Sequence, residues 1–352
     1  MPEISVVIPS YNHAAYLPEA VQSVLDQSAR DLVLIVVDDG SRDNSLEVLA
    51  GFSDPRLHVF SQENQGAHAA INRGLHLASG DYLAILNSDD AYHPQRLEKC
   101  LRQLKENPSL SLVGSHIEVI DTQGKLLGIK HGYQDLSPWL LEQPERSFRA
   151  GDDLGAALLA ENYWSTTSNY VFSRHFWQQA GDFRSLRYTH DWDYALRLAQ
   201  LGPQMLLPEP LVRYRVHPSN TIRENQAAMI FEICWIMAVH LPQHFNQTSF
   251  TNQVSPEKRL DQLLHSVSVF GMERVLNGLL VQEISRDAVL AQALLEPGNA
   301  QRETYLDYIR QRLAQSETPA APAQPPQAGL LRRAYRRARA LGRRTLEKLG
   351  LR

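Results

Sequence analysis

Leu32-Val33-Leu34-Ile35-Val36-Val37-Asp38-Asp39-Gly40-Ser41 joins six apolar, mostly β-branched residues to two acids and a turn. An apolar run without polar alternation is the mark of a strand covered on both faces. Similar runs at residues 4–9, 57–60 and 82–86 predict three more strands, with a less regular fifth at 112–120. Helical spacing marks residues 15–27, 45–51, 67–78 and 94–107 between them. This β-α-β-α alternation predicts an α/β fold, a mostly parallel sheet flanked by helices. Ligands of such sheets sit at the carboxyl ends of the strands. Three polar clusters stand at those ends: Ser10-Tyr11-Asn12, Asp38-Asp39-Gly40-Ser41 and Asn87-Ser88-Asp89-Asp90.

The chain has 352 residues, 43% hydrophobic and 21% charged, a composition that supports a real core in one large or two modest domains. Met1-Pro2-Glu3 leads directly into the first strand without a basic n-region or an apolar signal core, so the sequence reads as cytoplasmic. Cys100 and Cys234 lack metal-type spacing and are expected as buried thiols. Residues 138–215 mix aromatic and polar side chains, as in Tyr163-Trp164-Ser165-Thr166-Thr167-Ser168, which suits either carbohydrate contact or a packed loop. Beyond residue 225 the spacing is helical, at 227–241, 258–270, 273–282 and 302–315. The first of these carries Glu232 and His240 and is too short to span a bilayer, so a buried helix is expected.

Pro319, Pro322, Pro325 and Pro326 mark a semi-rigid linker at 318–328. Residues 329–352 then carry nine Lys or Arg against Glu347 alone, a net of +8 that leaves residues 1–328 at −12 within a chain of −4. Leu331, Ala334, Tyr335, Ala338, Leu341, Thr345 and Leu349 form a thin apolar stripe among the arginines, the pattern of an amphipathic helix on an anionic membrane surface. A solvated tail is the rival reading. Tyr335 is the tail's lone aromatic, which disfavours a nucleic-acid partner.

The acids at the strand ends carry the chemistry. Asp39 can accept from a base N–H or a ribose hydroxyl, or can simply cap the helix that follows. A second acidic loop at Asp89 and Asp90 facing the same crevice calls for a hard divalent cation, Mg²⁺ or Mn²⁺, which takes oxygen ligands and bridges to phosphates. A turn with a helix cap is the plainer reading of Asp90.

Ser5-Val6-Val7-Ile8-Pro9-Ser10-Tyr11-Asn12, Val36-Val37-Asp38-Asp39-Gly40-Ser41 and Leu86-Asn87-Ser88-Asp89-Asp90, in that order, resemble the family 2 glycosyltransferases of GT-A fold. Asn64-Gln65-Gly66 and Asn72-Arg73-Gly74 resemble that family's nucleotide-binding stretch. The likeness covers residues 4 to about 120, resumes near 164–220 and is absent from about 226 onward. It implies a GT-A domain over residues 1–225, followed by the helical region at 226–317, the linker at 318–328 and the tail at 329–352.

The resemblance further implies that Pro9, Tyr11, Asp39 and Arg73 hold a nucleotide, with Asn87 and Ser88 beside it. Asp89 matches the metal-binding acid of the family's Asp-x-Asp motif, Asp90 is a weaker candidate, and Asn87 departs from the pattern by replacing its first Asp. Thr189-His190-Asp191-Trp192-Asp193 resembles the segment that opens a helix with the catalytic base, and this puts Asp191 in that role; His190 stands where the family usually has Glu. Tyr214-Arg215-Val216-His217 resembles the segment whose histidine reaches the metal or diphosphate, and Trp164 with Thr166 and Thr167 would border donor sugar or acceptor. An acid in a first helical turn and a solitary histidine also have structural explanations. The implied activity is inverting transfer of a sugar from a UDP- or dTDP-linked donor, or a GDP-linked one, to a hydroxyl of a cell-surface glycan or lipid-linked acceptor. The enzyme would be peripheral at the inner face of the cytoplasmic membrane. A nucleotide-sugar-binding protein without turnover is the alternative.

Overall fold

The computed structural model describes residues 1–130, 158–159, 162–217, 225–246 and 288–316. The helices expected at 258–270 and 273–282, the linker 318–328 and the tail 329–352 lie outside the described residues. The chain forms two compact units, 1–309 and 310–352.

Four strands, β1 (Ile4–Ser10), β2 (Leu32–Asp38), β3 (Leu57–Ser61) and β4 (Tyr82–Ile85), run parallel in the order β3-β2-β1-β4. The connecting helices are α1 (Leu17–Leu25), α2 (Ser45–Ala50) and α3 (Ala67–Leu77), and α4 (Arg96–Glu106) follows the short β5 (Ala91–Tyr92). All seven residues of β1 are buried, whereas β3 at the sheet edge leaves His58 and Val59 exposed. On one face Ile4, Val6 and Ile8 share a core with Leu17, Val21 and Val24 of α1 and Leu97, Leu101 and Leu104 of α4. Burying each of these side chains stabilises by about 1.5–3 kcal/mol. On the other face α3 approaches so closely that a Cβ at Gly74 would lie 2.3 Å from Val7 Cγ1.

The second half of the sheet is less regular than the first. β6 (Leu112–Ile120) pairs in parallel with β9 (Gln204–Arg215), while β7 (Leu126–Lys130) and β8 (Val171–Ser173) pair with it antiparallel. β8 also lies antiparallel to β4, and β5 antiparallel to β9. The alternation that predicts a parallel sheet therefore holds from β1 to β4 and gives way to mixed pairing beyond. β8 has only three residues, and β9 shifts register against β6 near Pro210, so neither shows a clean period. α5 (Arg174–Ala180) and α6 (His190–Leu201) separate these two strands.

Helix Gln226–Asn246 belongs to the first unit, and Ile230, Phe231, Cys234, Trp235 and Ile236 on it are buried. It is the buried helix expected from its composition. Helices Ala288–Ala293 and Ala300–Ser316 follow. Among the described residues no helix is long and apolar enough to cross a membrane. Cys100 and Cys234 are both buried, as expected.

Gly114 of β6 leaves no room for a side chain: a Cβ there would sit 2.3 Å from Trp164 Cζ3 and 2.7 Å from the Asn169 carbonyl. Gly114→Ala should cost about 1–3 kcal/mol by overpacking, read as a lower urea midpoint with an unchanged slope. An unaltered midpoint would contradict this packing.

Candidate active site

The register of β1 against β2 sets Ser10 beside Asp38, which brings two of the polar strand ends together. The loops beyond are clamped to each other. Asn12, held at a φ of +55°, donates its backbone amide to Ser41 Oγ at 2.9 Å, and its Oδ1 accepts from the Arg42 amide at 2.7 Å. Asp39 is 3% exposed; its Oδ1 accepts from Gln62 Nε2 and the Gln65 amide, and its Oδ2 from the Gly66 amide at 2.8 Å. The Asp39 carboxylate thus fixes the turn that starts α3. Gly40 and Gly66, at φ of +75° and +91°, take the left-handed backbone this turn requires. Arg73 on α3 donates to the Ser61 carbonyl and Gln62 Oε1. Pro9 is buried in β1, and Tyr11 beyond it is 40% exposed at the strand end.

The second cluster forms where β4, β9 and the β1–α1 loop converge. His13, Asp89 and His217 each present a ligand atom, all within 4.8 Å of one another. His217 Nε2 lies 2.9 Å from Asp89 Oδ2, and His13 Nδ1 lies 2.8 Å from Ser88 Oγ. Tyr16 stacks on the His217 ring at 5.4 Å, with the Arg215 guanidinium 5.0 Å from the centre of the Tyr16 ring. Burial alone would raise the Asp89 pKa; the hydrogen bond with His217 and the nearby charge of His13 and His217 outweigh it and hold the carboxyl below its ordinary value. One carboxylate and two imidazoles form a donor set that can hold a divalent metal ion.

Asp90 takes another role. Its Oδ2 is 2.6 Å from Ser168 Oγ and its Oδ1 accepts from the Arg215 amide, tying β4 to β9. Burial and the neighbouring Asp89 charge push its pKa well up. Arg215 completes the tie by donating Nε to the Asp89 carbonyl and pairing with Glu19. Asn87 donates Nδ2 to Thr166 Oγ1 and accepts from Thr167 Oγ1 through Oδ1, so its amide is engaged with the 3₁₀ turn Thr167–Asn169. An aspartate could accept from Thr167 but could not donate to Thr166. Trp164 has no exposed surface, packs against Tyr170 and donates to Gln204 Oε1. That corrects its expected place beside a sugar, since an indole without exposed surface is core.

Asp191 lies in the first turn of α6, half-buried, with Oδ2 accepting from Asn162 Nδ2 at 2.9 Å and Oδ1 from the Trp192 amide. Tyr170 Oη donates to its carbonyl. The segment from Asn162 to Tyr170 therefore touches both Asn87 and Asp191, joining the metal-type loop to the expected base. His190 packs edge-on against Phe183, and its charge, with desolvation dominant, helps lower the pKa of His68, which also feels Asp39. These couplings set the start of α3 beside the start of α6.

Helix Gln226–Asn246 secures α6. Glu232 accepts from the Arg187, Tyr188 and Thr189 amides just before it. Inside α6, the buried Asp193 meets Arg184 at 2.6 Å, Arg197 at 3.0 Å and His240 Nε2 at 2.9 Å. Asp193 is the helix acid with a structural role; Asp191 has no ion pair among those described.

Residues 5–153 match the family model for Glycosyl transferase family 2. The chain is 30% identical over 224 residues to the chondroitin synthase of Escherichia coli, covering 63% of this chain and 30% of that protein. The hyaluronan synthase of Pasteurella multocida is also 30% identical over 224 residues, covering 63% and 21%. It is 35% identical over 152 residues to the glycosyltransferase GlyG of Streptococcus pneumoniae, covering 42% and 50%. The chain thus spans half or less of the length of these relatives. The mannosyltransferase PcManGT from Pyrobaculum calidifontis, solved with GDP-Man and Mn²⁺, shares the fold at a TM-score of 0.52 and 15% identity, covering 89% of this chain and 86% of that one. S. aureus TarS 1-349 with UDP-GlcNAc gives 0.51 and 15%, covering 92% and 95%. Residues 5–153 are thus similar to the family 2 glycosyltransferases, and the fold is that of the solved GT-A glycosyltransferases.

His13, Tyr16 and Asn162 were not among the residues singled out by sequence reasoning, and Ser168 entered only as part of the 163–168 stretch. His13 stands one residue past Ser10-Tyr11-Asn12, at the end of a strand that already signalled a site, so position was its available signal. Asn162 and Ser168 act through contacts made far along the chain and leave no local pattern.

Burial lowers the His240 pKa against the raising effect of Asp193, and Asp193 is itself held low by His240 and Arg197 despite its burial. In both cases the unfolded chain takes up a proton more readily than the folded one, so stability is present above the unfolded pKa and is lost on acidification. For His240 the loss begins as pH falls below about 6.5, and for Asp193 below about 4. Urea midpoints should fall between pH 7 and 5, and His240→Gln should flatten that slope; an equal slope in the variant would contradict the assignment.

Proposed function

We propose that this chain is an inverting, metal-assisted glycosyltransferase that moves a sugar from a nucleoside-diphosphate donor to a hydroxyl of a cell-surface glycan or lipid-linked acceptor. The observation that carries this reading is the grouping of Asp89, His13 and His217 beside the segment that also holds Asp191. Matches to polysaccharide synthases support the acceptor class, and solved relatives bound to GDP-Man and UDP-GlcNAc support the donor class. UDP and dTDP are the favoured nucleoside diphosphates.

Pro9, Tyr11 and Arg73 line the base and ribose side in this reading, and Asp39 acts by fixing the Gln65–Gly66 turn as well as by facing the nucleotide. Asp89 and His217 would hold Mn²⁺ or Mg²⁺, and such an ion would supply positive charge to offset that of a departing diphosphate. Asn162 and the Trp192 amide orient Asp191 while leaving each of its oxygens further lone pairs. Asp191 takes the proton of the acceptor hydroxyl, the freed oxygen bonds to the anomeric carbon, and the carbon–phosphate oxygen bond breaks with its electron pair leaving on the diphosphate. Attack opposite the leaving group inverts the anomeric centre. His190 borders this base and bears on acceptor choice.

The basic tail, residues 329–352, would keep the enzyme at the inner face of the cytoplasmic membrane through anionic lipid, each cation contributing about 1 kcal/mol. Flotation with anionic vesicles should be lost on deleting the tail and weakened by salt, and equal flotation would remove the membrane partner.

Nucleoside diphosphate release from a panel of nucleotide sugars with Mn²⁺ tests the activity. Asp191→Asn should lower turnover by about 10²–10⁴-fold while donor binding persists. Asp89→Ala should weaken both. Donor binding without turnover in the unaltered protein, across donors and a lipid-glycan acceptor fraction, would favour the non-catalytic binding protein instead.

A further inference from the structure

An ion held by a single carboxylate needs other donors, and the chain supplies fewer acids than the strand-end clusters suggest. Asn87 is an amide whose two polar atoms are engaged by Thr166 and Thr167. Asp90 is engaged by Ser168 and the Arg215 amide and is absent from the ligand cluster. Among the described residues that leaves Asp89 as the carboxylate of the cluster, with His13 and His217 beside it. We propose that His13 is a third protein ligand of the ion, and that the resulting two-histidine, one-carboxylate set selects Mn²⁺ over Mg²⁺. This rests on the metal-assisted reading above.

The surroundings of His13 are those of a ligand. With its proton on Nδ1 the ring donates to Ser88 Oγ, which lies 2.8 Å away, and this tautomer puts a lone pair on Nε2. A partner on the far nitrogen fixes ring orientation and raises ligand basicity, as is common for metal-bound histidines. Ser88 is 2% exposed and neighbours Asp89, so one loop carries both the carboxylate ligand and the residue that orients His13. The His13 and His217 rings meet edge to face at 5.7 Å, and Tyr16 packs near both. The three ligands come from three separate segments, which restricts how far the set can spread.

The metal preference follows from the donors. Mg²⁺ dehydrates reluctantly and favours carboxylate, phosphate and water oxygens. Imidazole nitrogen adds little for Mg²⁺ and more for transition-metal ions. Replacing an acid by an amide at position 87 while a histidine stands at position 13 shifts the donor set in that direction. The set carries one negative charge against the ion's two, leaving a net positive centre for a diphosphate.

The test is Mn²⁺ binding to the full-length protein, without any donor sugar, followed by titration calorimetry and by pulsed EPR, which counts directly coordinated nitrogens. The unaltered protein should show two imidazole nitrogens, with one remaining in His13→Ala and one in His217→Ala. His13→Ala should weaken Mn²⁺ binding by about tenfold or more. His13→Asp, which returns an oxygen donor, should move the Mg²⁺-to-Mn²⁺ affinity ratio toward Mg²⁺ by a similar factor. Unchanged thermal unfolding of the variants in EDTA shows that they are folded. A single nitrogen in the unaltered protein, lost in His217→Ala, with His13→Ala binding as tightly, would overturn this proposal and leave the metal-assisted reading standing. Absence of Mn²⁺ binding even with UDP present would overturn both.

Discussion

A carboxylate largely withdrawn from water persists in its charged form only against positive charge or hydrogen-bond donors, and Asp89 meets that condition with His217 and His13. The rest of the first unit can be understood as bringing those three residues to one place. β1 supplies the loop bearing His13, β4 the loop bearing Asp89, and β9 the strand that ends before His217. Because β1 and β4 are neighbours, two of these loops meet directly. β9 is farther along the sheet, and Asp90 with Arg215 closes that gap through hydrogen bonds.

Pairing Asp90 with Ser168 and the Arg215 amide also separates the roles of two adjacent acids. Asp89 is kept ionised by the histidines, whereas Asp90 is pushed toward its neutral form by burial and by Asp89 itself. Two vicinal carboxylates in one buried loop would otherwise repel. The same division occurs in α6, where Asp193 is surrounded by Arg184, Arg197 and His240 and Asp191 is left to Asn162 and a backbone amide. In each pair one acid organises the fold and its neighbour is the one proposed for the site.

The first four strands were legible because each is an apolar run ending in polar residues, and the three polar ends fall at the strand ends where the site forms. Asp89 and His217 were singled out because their segments carry motifs that survive in local sequence, and the fold brings the two side chains together. β8 and β9 were not, because a three-residue strand and one broken by Pro208 and Pro210 have no readable period. Trp164 misled because an aromatic among hydroxyl residues looks like a sugar platform, while the absence of a side chain at Gly114, fifty positions away, is what gives its ring a place in the core. Asn87 reads in sequence as a nucleotide-side residue that departs from the Asp-x-Asp pattern; its fit to Thr166 and Thr167 becomes visible only when the turn at 167–169 is folded against β4. Helix Gln226–Asn246 lies beyond the family resemblance, yet Glu232 and His240 hold the approach to Asp191, a dependence that only tertiary contacts reveal.

The central claim is that the diphosphate of the donor docks at Asp89 and its histidines while the anomeric carbon faces Asp191. A crystal structure of the protein with Mn²⁺ and an unreactive nucleotide-sugar analogue tests it most directly. The account predicts anomalous density for the ion against Asp89 and His217, diphosphate oxygens on the same ion, and the Asp191 carboxylate on the side of the sugar opposite the phosphate. A diphosphate bound away from Asp89, or an Asp191 side chain directed away from the sugar, would contradict it.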